Sequence, residues 1–314
     1  MTQYIARRLI SLIPVILIVS LICFSLIHIT PGDAASAILG ETATEEQLAK
    51  MRQSLGLDAP LYEQFLRWLG DVAVGDFGVS VFSGEPVIQI IWESFKTTFG
   101  LSLIAMLLSL VIAIPLAILA VWKRNSWMNW IFMSFSLLGV SIPAFWLALL
   151  LIIVFAVTLG WVPVAGYMPL SQGFWPWLSH LLLPAVVLSV QQAGLIARML
   201  RDGMLEVMNQ DYIRSARAKG AKEWIILLGH ILPNAMIPTV TVIGVTIAEL
   251  LGGAIIVESI FAIPGLGQLI AESISRRDFP VLQGGVLFIA VIYVLVNLLV
   301  DLAYAFFDPR IRYD

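Results

Sequence analysis

Charge is scarce in this sequence. Asp, Glu, Lys and Arg make up 12% of its 314 residues, where a soluble domain carries roughly 25%. Hydrophobic residues reach 60% and mean hydropathy is +0.94, which excludes an ordinary soluble globule and points to a polytopic membrane protein. Cysteine is nearly absent. Cys23 stands alone inside an apolar run, so an internal disulfide framework is excluded. The three histidines, His28, His180 and His230, lie far apart, and none has the His-Glu-x-x-His spacing of a catalytic zinc site. No lysine follows a glycine, so there is no Gly-x-x-x-x-Gly-Lys-Ser/Thr cradle for phosphates. A Gly-x-Ser-x-Gly elbow is also missing. No catalytic residue, cofactor site or metal site is therefore expected, and energy for any work must come from another subunit. A net charge of −3, without a basic face outside the loops, argues against nucleic acid.

What fills the chain is long uncharged runs. A membrane-crossing helix needs about 20 apolar residues. Residues 9–29 form the first run, behind Arg7 and Arg8. It is too long for a signal-peptide core, so it is read as a retained span and Ala35-Ser36-Ala37 is not taken as a cleavage site. Residues 97–122 are the second run. Residues 125–197 carry no formal charge, too long a stretch for one helix. Gly160, Pro163, Gly166, Pro169, Gly173 and Pro176 break it, with Trp161, Trp175 and Trp177 at the break as interfacial anchors. Spans three to six are expected at 130–159, 178–197, 237–257 and 284–306. The fold class is all-α, with six transmembrane helices.

Orientation follows from Lys and Arg. With the N-terminus cytoplasmic, the inner segments hold 12 of the 18 basic residues, and the outer ones hold Lys50, Arg52, Arg67, Lys96, Arg276 and Arg277. This satisfies the positive-inside rule, with Arg276-Arg277 the exception. Both termini then lie in the cytoplasm. The expected organisation is an inner tail and first span over 1–30, an outer helical insertion over 31–96, a five-helix core over 97–306 and an inner tail over 307–314. The insertion carries ten acidic residues against four basic ones. Residues 45–55 look helical, with Gly56 as the stop; 60–68 begin an amphipathic stretch, and Gly75-Asp76-Phe77-Gly78 reads as a turn. By composition this is a small helical cap on the outer face.

One inner segment, 209–235, is polar and basic amid the apolar runs. Asn209 and Asp211 suit the start of a short helix, Lys219 its last turn, and Gly220 a left-handed end. Ser215, Ala216 and Ala218 let another backbone approach, while Arg214 and Arg217 share a flank. A second short helix, 222–231, is expected to stop at Pro233. From these residues the segment resembles the cytoplasmic coupling loop of importer-type ABC permeases, written Glu-Ala-Ala, three residues, Gly, nine residues, Ile-x-Leu-Pro. Ser215 and Ala216 match the end of the triplet, Gly220 the glycine, and Leu232-Pro233 the close. Arg214 stands in place of Glu and His230 in place of Ile. The words Thr30-Pro31-Gly32-Asp33, Leu55-Gly56-Leu57-Asp58-Ala59-Pro60, Gly75-Asp76-Phe77-Gly78 and Asp308-Pro309-Arg310 resemble the dipeptide, oligopeptide and nickel branch, first-permease (B-type) subunit.

Ionisable residues inside spans are costly unless solvated or paired. Glu249 falls mid-span in the fifth helix, beside Gly244, Gly252 and Gly253. It either lines a pathway, with the two following glycines, or bonds a partner helix. Gly244, Ala248, Gly252 and Gly253 give a smooth face for close helix packing. Glu258 precedes Phe261, Pro264, Gly265 and Gly267, which are similar to the family's outer turn Glu-x-x-Phe-x-x-Pro-Gly-Leu-Gly. Asp301 reads as an interfacial residue near the inner headgroups.

The resemblance implies the type I ABC importer permease fold and one transmembrane subunit of a bacterial inner-membrane importer for short peptides. It implies a second homologous permease, two cytoplasmic ATPases holding ATP and Mg, and a periplasmic or lipid-anchored binding protein, all amid membrane lipids. The implied ATPase contacts are Arg214, Ser215, Ala216, Arg217, Lys219, Gly220, His230, Leu232 and Pro233. A nickel-complex or glutathione permease is the alternative within the family. A secondary transporter loading an ion at Glu249, or a non-transporting scaffold, is the alternative outside it; the inverted repeats a secondary transporter favours are not evident.

Overall fold

The computed structural model describes residues 2–29, 44–54, 58–252 and 254–307. Expectations at Thr30-Pro31-Gly32-Asp33, Ala35-Ser36-Ala37, Leu55-Gly56-Leu57, Gly253, Asp308-Pro309-Arg310 and the side chain of Asp301 lie outside what is described. The described chain is helical and holds no strand, only an isolated bridge between Val79 and Pro86. By packing it divides into two bodies, residues 1–98 with 264–294 and residues 99–263 with 295–314.

The first body contains α1 (Thr2–Ile29), α2 (Glu45–Ser54) and α3 (Leu61–Ala73), the start of α4 (Val87–Trp122), α12 (Leu266–Arg276) and the start of α13 (Phe279–Phe307). Aromatic contacts join α1 to α3: Phe24 meets Phe65 at 5.4 Å and Trp68 at 6.0 Å between ring centroids. Gly75 and Gly78 take φ of +89° and +81°, as the turn requires. The buried carboxylate of Asp278 accepts from the Ser80 hydroxyl at 2.5 Å and from the Val81 N–H at 3.4 Å, fixing the loop that leads into α4. Val87, Ile91, Leu266 and Val281 form the core here.

The second body holds the rest of α4, α5 (Trp127–Ser141), α6 (Ala144–Leu151) with a wide turn Ile152–Thr158, α7 (Phe174–Met208), α8 (Asp211–Ala218), α9 (Glu223–Ile226), α10 (Leu232–Leu251) and α11 (Ile255–Ile260). Four described helices are long and apolar enough to cross a membrane. The α5–α6 pair is a fifth candidate, and α1, 28 residues long, is the sixth element expected to cross.

Three expectations need correction. Span three is not one straight helix: the chain bends by 102° between α5 and α6. Pro143, which cannot donate, sits at the break, and Gln191 Nε2 donates at 3.3 Å to the Ile142 carbonyl displaced from the helical ladder. The helix of span four does not end with the apolar run 178–197, because α7 runs 35 residues, about 52 Å. That exceeds a hydrocarbon core of about 30 Å, so its last turns, with Arg198, Arg201, Asp202 and Glu206, project beyond it. Pro233 does not stop a second short helix. A wide turn at Leu227–Ile231 joins α9 to α10, in which the Leu232 N–H reaches back five residues to Leu227. Pro233 then falls in the first turn of α10, where its missing donor is tolerated.

Helix packing in this body depends on backbone approach. A side chain at Gly194 would meet the Ser136 carbonyl at 2.6 Å, and one at Gly139 would meet that of Val190 at 2.9 Å. α5 and α7 therefore touch along their backbones. Val300 of α13 packs against Gly244 of α10 and leaves no room for a side chain there.

Candidate functional site

Residues 209–235 form a compact projection on the second body. Asn209 does not open the short helix, as expected above. It closes α7, where its Nδ2 donates to the Leu205 carbonyl at 3.1 Å, and Gln210 precedes α8 in extended conformation. Asp211 opens α8, an acid in the first turn, as the helix dipole favours. Its carboxylate pairs with Arg214 at 3.5 Å, and the Ser215 hydroxyl donates to its carbonyl at 3.1 Å.

The end of α8 is closed by hydrogen bonds. Gly220 has φ +80°; its N–H donates to the Arg217 carbonyl at 2.9 Å, and the Ala221 N–H donates to Ala216 at 3.2 Å. This pair of bonds is the Schellman pattern, which needs the left-handed residue that glycine supplies. Across the bend, Arg217 grips Glu223 with two donors, Nε at 2.8 Å and Nη2 at 3.4 Å. Arg214 and Arg217 thus each pair with an acid of their own.

Ile213 anchors the projection. It is fully buried in a cluster with Ala117 and Val121 of α4, Leu200, Met204 and Met208 of α7, and Ile226 and Ile231. Ala216 is half-buried against the same cluster. Ser215, Ala218, Lys219 and Gly220 are exposed on the other side. His230 and Pro233 are exposed and Leu232 half-buried, with Asn234 Nδ2 donating to the His230 carbonyl at 2.6 Å. Sequence reasoning missed both the Ile213 anchor and the Glu223 partner. The first was visible as an apolar pair three apart, Ile213 and Ala216. The second lies across a turn, where spacing gives no signal.

Glu249 is exposed on α10, in line with Asn234, Pro238, Thr241 and Val245 at helical spacing. Gly252 closes that helix. The matching exposed stripe of α4 within this body, Phe99, Leu103, Leu107 and Val111, is wholly apolar. Glu258 is fully buried, and its carbonyl accepts the Ile263 N–H at 2.9 Å. Phe261 is buried, and its carbonyl accepts the Gly166 N–H at 2.8 Å. In the first body Pro264 is exposed, Gly265 and Gly267 are buried, and the Leu266 N–H donates to Thr98 Oγ1 at 2.8 Å.

Residues 113–313 match the binding-protein-dependent transport system inner membrane component, and residues 1–102 match the N-terminal part of such a membrane component. A probable peptide ABC transporter permease from Sinorhizobium fredii is 44% identical over 313 residues, covering 100% of both chains. A dipeptide transport system permease from Alkalihalophilus pseudofirmus is 40% identical and a glutathione transport system permease from Salmonella paratyphi A 41% identical, each with 100% coverage of both chains. Among solved structures, the inward-facing MetNI methionine ABC transporter matches with a TM-score of 0.59 and 20% identity, over 70% of this chain and 97% of that one, a likeness of fold. With its apolar helices and the all-α type I permease fold, this chain belongs to the family of inner-membrane components of binding-protein-dependent transport systems, as a multi-pass permease.

Proposed function

We propose that this chain is the permease subunit of an ATP-driven importer that carries short peptides across the bacterial inner membrane by alternating access. Its working assembly contains a second permease, two cytoplasmic ATPases that bind ATP and Mg, and an external binding protein. Both termini and the 209–235 projection lie in the cytoplasm. The chain binds no nucleotide; its part is to convert ATPase motion into movement of the spans.

The observation that carries this reading is the construction of the projection. α8 is rooted by Ile213, closed at Gly220 and tied by Arg217 to Glu223, so a push on its exposed side passes into α7 and α10 without being lost in a loose loop. Differential contacts of the ATPases with two conformers are what would shift the equilibrium. The polar members of the exposed α10 stripe, Asn234, Thr241 and Glu249, support a solvated pathway continuing to Gly252 and Gly253. Peptide as substrate rests on the peptide and dipeptide permeases to which the chain is similar over its full length.

The test is Gly220→Val in the complete importer reconstituted with its ATPases and binding protein. Gly220 stands in open space, so valine brings no clash. It strains the left-handed backbone by roughly 1–2 kcal/mol and loosens the bend. ATP hydrolysis should persist while uptake of labelled dipeptide falls at least tenfold, with Gly220→Asn milder. Normal uptake in the valine variant overturns the docking assignment. Glutathione is the second reading, supported by the glutathione permease relative. Preferential competition by glutathione over dipeptides would replace the peptide assignment.

A further inference from the structure

A cavity of about 300 Å³ opens beside the projection, between the end of α4, the ends of α7 and α8, and the start of α9. Its charged lining is Arg124, Arg217 and Glu223. Arg217 occupies both carboxylate oxygens of Glu223, so that pair is neutral and spoken for. Arg124 is different. Its Nη1 donates to the thioether sulfur of Met208, a weak acceptor, and among the described residues no carboxylate lies within ion-pair distance of it. The cavity therefore carries one uncompensated positive charge on a planar fork of donors, the geometry that matches phosphate oxygens.

The surroundings say where the anion would come from. Trp122 and Trp224 line the cavity, 60% and 54% exposed, as tryptophans do at the depth of lipid headgroups. Trp122 is also the last residue of α4, the most apolar of the candidate spans, so the cavity opens at the end of that apolar run. Val121 and Leu227 supply an apolar wall. A soluble phosphate has no reason to favour this wall, whereas a glycerophospholipid presents a phosphodiester of single charge with an apolar stem beneath it. A cationic headgroup finds no free carboxylate, since Glu223 is taken. We propose that this cavity binds the headgroup of an anionic phospholipid, with Arg124 holding the phosphodiester and the two tryptophans framing it.

The test titrates phosphatidylglycerol onto the purified, complete importer and counts bound lipid by native mass spectrometry. Arg124→Gln should weaken phosphatidylglycerol binding roughly tenfold, the scale of one charge-assisted hydrogen bond. Arg124→Lys should recover part of the loss. Lys123→Gln, which removes an exposed charge outside the cavity, should change binding less than twofold. Should Trp122→Leu be made instead, the same direction is expected through loss of the frame. Equal weakening by Lys123→Gln would reduce the effect to general surface charge and overturn the site. So would competition by free glycerol phosphate at lipid-like concentrations, which would assign a soluble anion. Binding seen only after the ATPases are stripped away would assign the cavity to the ATPase contact and likewise overturn the proposal.

Discussion

Two glycines in helical conformation, Gly194 and Gly70, separate close packing from mere flexibility. A methyl group on Gly194 would lie 2.6 Å from a backbone carbonyl, which cannot swing away as a side-chain tip can. Gly194→Ala should force α5 from α7 and cost about 1–3 kcal/mol, the scale of overpacking. Gly70, inside α3, has nothing within 4 Å of the same position. Gly70→Ala should be neutral or stabilising by up to about 1 kcal/mol through the unfolded chain and helix propensity. Thermal unfolding in detergent checks both: a lowered midpoint for the first and an unchanged or raised one for the second. Equal shifts would mean that the α5–α7 approach is looser than the structure has it. Gly220, by contrast, is a residue whose conformation could be read in advance, because Lys219-Gly220 ends a short polar helix and few other residues tolerate a φ of +80°.

At the scale of elements, two clamps carry bends that the apolar pattern alone does not announce. Gln191→Leu would leave the Ile142 carbonyl without its side-chain donor at the 102° break. The expected loss is about 1 kcal/mol, the low end of the cost of an unsatisfied polar group, since Ile142 is half-buried. It is read as a lowered midpoint that Gln191→Glu does not restore, since a carboxylate brings no donor. Asp278→Ala should free the loop 79–86 from its two hydrogen bonds and make it cut faster by limited proteolysis, while cleavage elsewhere is unchanged. These clamps also mark the limit of what composition conveys. The apolar stretches at 97–122 and 178–197 were legible because burial in lipid selects hydropathy, but the helices holding them extend to Val87 and Met208, since a helix does not end where the membrane does. Pro143 and Pro233 look alike in sequence. One breaks a span and the other is absorbed by a wide turn, and the difference lies in neighbours, Gln191 for the first and the five-residue ladder at Leu227–Ile231 for the second. The motif from Ser215 to Pro233 was legible by spacing, whereas its root, Ile213, depends on α4 and α7 arriving from elsewhere in the chain.

For the whole molecule, the decisive question is where the energy enters. Glu249 is the carboxylate exposed on α10, and it stands in the last turn of that helix instead of mid-span as its sequence position suggested; two mechanisms use it differently. A proton- or ion-driven carrier would load its coupling ion there, so Glu249→Gln would abolish uptake and a collapsed ion gradient would do the same. An ATP-driven permease needs only that the pathway be solvated and, for a substrate with a free amino group, that a negative charge stand nearby. In that mechanism ATP would tilt the conformers through the ATPases; a shift from 1:99 to 99:1 takes about 5.5 kcal/mol of differential binding, which a carboxylate facing water cannot supply alone. In proteoliposomes holding the complete importer, Glu249→Gln should therefore leave ATP hydrolysis near normal and lower uptake of free-amino dipeptides several-fold, with N-acetylated dipeptides less affected. A protonophore should leave uptake unchanged, and vanadate should stop it. Uptake that survives vanadate but collapses with the protonophore would transfer the driving force to Glu249 and remove the projection around Gly220 from the mechanism.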